Sequence, residues 1–163
     1  MEVTAVIRQS DHRNFPVTYR AAGTGLSGQA ISASVLMVAT HDWRKYTILD
    51  DGLKIKLQPG IVGSRANIYL KPFGRKIGPD PAAINAAMIG GIAANNASGM
   101  CCGIDQNSYK TVSDIRIVLY DGTVLDTSDE ESKKAFREKH SDIIAEIEQL
   151  KNDVKADSVL TER

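Results

Sequence analysis

At 163 residues, 42% of them hydrophobic, the chain has material for one ordinary core and not comfortably for two. Twenty Lys and Arg balance twenty Asp and Glu, which removes the basic footprint that binding to a nucleic-acid backbone requires. The charged opening "MEVTAVIRQSDHRN" holds no signal-peptide core, and no run is long and apolar enough to span a bilayer, so a soluble, cytoplasmic chain is expected.

Val3, Val6 and Ile7 recur at helical spacing, so the chain opens inside a helix. "FPVTYR" reads as a short strand, because Val17, Thr18 and Tyr19 favour extended backbone and Pro16 suits a strand entrance. A glycine loop, "RAAGTGLSGQ", follows it directly. "SVLMVAT" is a continuous apolar run of buried-strand length, and "YTILDDGLKIKLQPG" is a hairpin turning at Asp51-Gly52. A helix is expected between Ile61 and Leu70, ending near Lys71-Pro72 because the residue before proline disfavours helical backbone. After it come the proline-bracketed "GPDP", the small-residue stretch "AAMIGGIAANNASG", and a second hairpin, "DIRIVLYDGTVLDT", turning at Asp121-Gly122. From Ser128 the character changes to charged helix, opened by the capping box Ser128 and Glu131. A last helix starts at Ser141, with Ile143, Ile147, Leu150 and Val154 in one apolar stripe. That stripe lasts under two heptads, so packing on the domain or on a neighbour is expected rather than a coiled coil.

Cys101 and Cys102 are adjacent, an awkward geometry for a mutual bridge and the wrong spacing for zinc, and are read as small buried residues of a reduced compartment. His12, His41 and His140 have no ligand-spaced partner, so no metal site is proposed. The glycine loop is the informative segment. Gly23, Gly25 and Gly28 have the GxGxxG spacing of a Rossmann turn, and Asp42 falls where the ribose-binding acid would stand. A Rossmann site then needs a helix from about Gly28 to Val38, yet "QAISASVLMVAT" offers serines and β-branched residues there. Alternatively the glycines make a tight turn and nothing more. A third reading pairs this loop with "IGGIAANNASG" as two walls of one anionic groove, where backbone N–H groups approach phosphate oxygens that any Cβ would keep away.

"PVTYRAAGTGLSGQA", "QPG", "GPDP", "IGGIAANNASG" and "VLYDGTVLDT", in this order, resemble the FAD-binding domain of the vanillyl-alcohol oxidase and p-cresol methylhydroxylase superfamily, nearest its FAD-linked D-lactate dehydrogenase and glycolate oxidase branch. The resemblance covers residues 1–127 and implies an α+β fold: a mixed or antiparallel sheet flanked by helices, part of the p-cresol methylhydroxylase type of FAD domain. Residues 128–163 then form a helical C-terminal extension.

The resemblance also implies site residues. Ala21, Ala22, Gly23, Thr24, Gly25 and Leu26 would meet the FAD pyrophosphate with main-chain amides, with Ser27, Gly28 and Gln29 completing the loop. Arg20 would either add charge or brace the loop. Pro79, Asp80 and Pro81 would run along the flavin, although Asp80 can instead cap the next turn. Gly90, Gly91, Ala94, Asn95, Asn96, Ser98 and Gly99 would lie near the ribityl chain and phosphates, where asparagine and serine can both donate and accept. Covalent members of the superfamily attach flavin through a histidine in the loop; Thr24 stands at the matching position, which implies non-covalent FAD. "MCCGIDQNSYKT" departs from the commonest pattern, with a tyrosine only at Tyr109 and Lys110 after it.

The expected function is therefore the FAD-binding portion of a flavin-dependent oxidoreductase acting on a 2-hydroxy acid such as D-lactate or glycolate. The resemblance implies further N-terminal and flavin-contacting segments and a cap domain for the hydroxy acid, so the chain is expected to be a fragment, with self-association or complementation by the missing segments, and no catalytic residue can be named. The alternatives are a catalytically inactive FAD-binding module and, less favoured, a NAD-binding Rossmann domain.

Overall fold

The computed structural model describes residues 2–101 and 103–158. Its elements are α1 (Glu2–His12), β1 (Val17–Arg20), β2 (Val35–Val38), β3 (Tyr46–Leu49), β4 (Lys54–Leu57), α2 (Gly63–Leu70), α3 (Ile89–Ala94), α4 (Ser108–Thr111), β5 (Arg116–Val118), β6 (Val124–Asp126), α5 (Glu130–Lys139) and α6 (Ser141–Ala156). The order is that of an α+β chain, as expected, but among the described residues the strands form three separate two-stranded ladders rather than one sheet. The chain divides into two compact units, one of Gln9–Ser113 and one of Met1–Arg8 with Asp114–Arg163.

In the first unit β1 and β2 pair in parallel, Val17 opposite Val35 and Arg20 opposite Val38. Parallel strands need a crossover, usually helical; here the connection, residues 21–34, is irregular. With Val35–Val38 extended, the helix that a Rossmann turn demands across residues 28–38 does not exist, and that reading is overturned. β2 is half-buried rather than buried, with Val38 44% exposed, because β1 is its one described strand neighbour. β3 and β4 form the expected hairpin, in which Asp50–Gly52 make a short 3₁₀ turn and Asp51 is left-handed at φ 50°. α2 begins at Gly63, and Lys71–Phe73 adds a 3₁₀ turn that carries Pro72 in its first positions, where a missing N–H does no harm. The core of this unit lies around α2 and α3: Ile61, Ala66, Leu70, Ala87 and Ile92 are buried.

In the second unit β5 and β6 are antiparallel, Ile117 opposite Leu125. The expected capping box does not form, and the N-cap falls one residue later. Asp129 caps α5, its carboxylate accepting from the Glu131 N–H at 3.0 Å, while the Ser128 hydroxyl donates to Asp126. Ser128 is thus already engaged by the turn that ends β6. The hairpin turn is tied to the α5 end by one polar cluster. Thr123 Oγ1 donates to Asp121 Oδ2 at 2.7 Å and accepts from Lys139 Nζ, and His140 Nε2 stands 3.2 Å from the same oxygen. With the Thr123 proton directed at Asp121, His140 presents Nε2–H to Thr123. Hydrogen bonds from Lys139 and then Thr123 hold the Asp121 carboxyl well below the usual carboxylate range. His140 is buried, its ring 4.9 Å from that of Phe136. On α6, Ile147, Leu150 and Val154 of the expected stripe are exposed.

Candidate functional site

The glycine loop leaves β1 at Arg20 and bends at once. Gly23 and Gly28 take left-handed backbone, φ 73° and 77°, which a side chain would strain. Ala21 and Ala22 are half-buried, and Gly23, Thr24, Gly25, Leu26, Ser27, Gly28 and Gln29 are all exposed. The aliphatic part of Arg20 lies beside Gly23, its Cδ 3.0 Å from where a Cβ would stand, so Arg20 braces the loop from below. Gln29 folds back in the same way over Gly25. Ile31 N–H closes the loop on the Gly28 carbonyl at 3.1 Å, and Ala39 N–H bonds the Arg20 carbonyl at 2.9 Å. Among the described residues, no backbone N–H from 21 to 30 donates to a protein acceptor. A run of unpartnered donors bent by two left-handed glycines is the arrangement in which main chain binds an anion.

The other two predicted segments meet each other. A Cβ built on Gly99 would fall 1.7 Å from the Asp80 carbonyl oxygen, so the two backbones touch in a way that only glycine permits. Pro79 is buried and Pro81 half-buried, which fixes this stretch from both sides of Asp80. The Asp80 carboxylate pairs with Lys76 Nζ at 3.6 Å, and the following turn closes on the Pro81 carbonyl through Ile84 N–H at 2.8 Å.

"IGGIAA" is helix α3, not an extended wall. Most of its amides are engaged, the first two by carbonyls outside the helix. Ile89 N–H bonds the Ile61 carbonyl, Gly90 N–H the Pro59 carbonyl at 2.9 Å, and Asn95 N–H the Gly91 carbonyl. Gly90 also abuts Pro59 directly, a Cβ there lying 2.7 Å from the proline ring. Gly91, Ala94 and Asn95 are exposed, and Ser98 is half-buried. Asn96 is left-handed at φ 43° and its Oδ1 accepts from the Tyr109 N–H at 3.0 Å.

Sequence reasoning missed the support beneath this segment. Ser108 is buried, and its hydroxyl donates to the Ile92 carbonyl at 2.9 Å, tying α4 to α3. The one local signal was Asn107 ahead of it, which caps α4 by accepting from Lys110 N–H at 3.0 Å. Cys101 is exposed in the turn closed by the Gly99 and Gly103 bridge, so its reading as a buried residue is corrected: a tight turn holds it outward, next to fully exposed Met100. Cys102 lies outside the described residues.

An irregular loop of open amides, with a parallel strand pair where a Rossmann fold would place a helix, sets this chain apart from the Rossmann class. The chain belongs to the FAD binding domain family, which matches residues 1–128. It is 29% identical over 126 residues to D-2-hydroxyglutarate dehydrogenase of Escherichia coli strain K12, covering 77% of this chain and 12% of that protein. It is 34% identical over 103 residues to glycolate oxidase subunit GlcD of the same strain, covering 62% and 21%. The solved structure of 6-hydroxy-D-nicotine oxidase from Arthrobacter nicotinovorans matches with a TM-score of 0.68 at 16% identity, covering 79% of this chain and 28% of that one, a likeness of fold. The chain thus spans about an eighth to just over a quarter of the length of these proteins.

FAD is the cofactor of this domain. The residues present fit it in one decisive respect: the unpartnered amides of residues 21–30 suit a pyrophosphate, which carries dense charge and only acceptors. Among the described residues, no helix is long and apolar enough to cross a membrane.

Proposed function

We propose that this chain is the cofactor-binding part of an FAD-dependent oxidoreductase that oxidises a 2-hydroxy acid, and that it holds FAD without a covalent bond. The observation that carries this reading is the loop of unpartnered amides between β1 and β2, within a segment matched along its length to the FAD binding domain family. Ala21, Ala22, Gly23, Thr24, Gly25, Leu26, Ser27, Gly28 and Gln29 wrap the pyrophosphate, with Arg20 as the brace. Pro79, Asp80 and Pro81 form the strip along the flavin. Gly90, Gly91, Ala94, Asn95, Asn96, Ser98 and Gly99 serve the ribityl chain and phosphates. Bound FAD supplies a hydride acceptor; the protein supplies position. Loop amides fix the diphosphate, and the close seat of Gly99 on Asp80 sets the strip at a defined distance from α3. Thr24 at the histidine position supports non-covalent binding, since a threonine hydroxyl does not form the linkage that an imidazole makes. Two relatives are named for D-2-hydroxyglutarate and glycolate, both 2-hydroxy acids, which supports that substrate class.

Titration of the purified chain with FAD, followed by a visible spectrum and acid precipitation, tests the reading. A stoichiometric yellow complex whose flavin is released into the supernatant is expected. Protein that stays colourless at saturating FAD overturns the cofactor assignment. Dye reduction with glycolate, D-lactate or D-2-hydroxyglutarate then separates an active oxidoreductase from a module that binds FAD alone.

A further inference from the structure

Away from these segments, the unit of Gln9–Ser113 carries a groove of about 550 Å³ against the first turns of α2. Arg44, Ser64, Arg65, Tyr69 and Asn85 line it. Among the described residues, none of these five side chains makes a hydrogen bond or ion pair within the protein; Arg44, Arg65 and Asn85 are exposed, and Ser64 and Tyr69 are half-buried. Two of them are guanidinium groups, and no carboxylate of the described residues lies within ion-pair distance of either. Tyr69 is held in place by stacking on Tyr46, ring centroids 3.7 Å apart and planes 6° from parallel. Ile61 and Ile68 add an apolar wall. The amides of α2 play no part, because Gly63 N–H bonds the Ala87 carbonyl and Ser64 N–H the Ile84 carbonyl.

We propose that this groove is a second binding site, for a small organic anion of the carboxylate or phosphate class with a short apolar body. Two guanidinium forks match the oxygens of such a group. Ser64 and Asn85 add hydrogen bonds, and the volume is that of a metabolite pocket. The site is separate from the FAD segments in its residues but joined to them by backbone. Ile61, in its wall, accepts the Ile89 N–H at the start of α3, one residue from Gly90.

At 17.7 kDa the full chain is open to amide NMR, with inorganic phosphate and glutarate as separate probes at low salt. One probe is expected to saturate, moving the amides of Ser64, Tyr69 and Asn85, and the tighter of the two identifies the class of anion. Arg44→Gln and Arg65→Gln should each weaken that binding about tenfold, the loss of one charge-assisted contact, while the rest of the spectrum stays folded; if one variant unfolds, the other decides. The proposal is overturned if neither probe saturates, if shifts concentrate on residues 21–30, or if the folded variants bind as the parent chain does.

Discussion

The two glycine-rich segments look alike in sequence and differ in what glycine does. In residues 20–29, Gly23 and Gly28 bend the main chain into left-handed geometry, and the amides around them stay open. In residues 90–99, Gly90 and Gly99 let backbone press on Pro59 and Asp80, and most of the amides are engaged in α3 and its contacts. One segment leaves its donors open, while in the other glycine serves close packing of backbone. Small residues alone do not declare which; the partners of the N–H groups do.

That contrast can be broken most directly at Gly99. Gly99→Ala drives a methyl into the Asp80 carbonyl, and a loss of about 3 kcal/mol is expected from urea unfolding because backbone must move to relieve it. An unchanged midpoint would dissolve the distinction. Gly28→Ala meets no atom within 4 Å but must hold φ at 77°, so about 1 kcal/mol of stability is expected to go. Its larger signature should be weaker FAD binding by fluorescence titration, since the loop relaxes away from its curve.

A smaller effect, outside both segments, is expected at Asp121. Its folded carboxyl titrates below the unfolded value, so its contribution is full above about pH 4 and fades as pH falls through the folded value. Asp121→Asn should flatten the acid limb of stability against pH, by a modest amount because Lys139 is largely in solvent, and should leave FAD affinity intact. The smallest change belongs to Thr24→Ala, for which the flavin spectrum and its release by acid should match the parent chain. Flavin retained by the parent protein after precipitation would contradict the non-covalent reading.

Much of the fold could be read from local chemistry. Asp-Gly pairs marked both hairpins, and alternation in "LKIKLQ" marked β4, because turn geometry and strand pleat are written in neighbouring residues. The N-cap slipped by one because Ser128 and Asp129 are both competent caps, and Asp126 had a competing use for the serine. α3 escaped detection since "IGGIAA" has two poor helix formers and is held by Ile61, Pro59 and Ser108, residues distant in the chain. For the site, the loop's glycines pointed to an anion, but the seat of Gly99 on Asp80 is a contact between separated segments that no local pattern encodes.

The parallel pairing of β1 with β2 has a consequence for how the molecule assembles. Each hairpin can zip from its own turn within about 1–10 μs, whereas β1 and β2 meet only after the irregular crossover of residues 21–34 has closed. Their ladder therefore depends on the conformation of that crossover in a way the hairpins do not. A ligand held by the crossover would act as a template for that ladder, and at a hundredfold excess over its dissociation constant would stabilise it by about 2.7 kcal/mol. Hydrogen exchange at Thr18, Arg20, Val35 and Met37, whose N–H groups face the partner strand, is where such a cofactor would leave its mark on the folding of this protein.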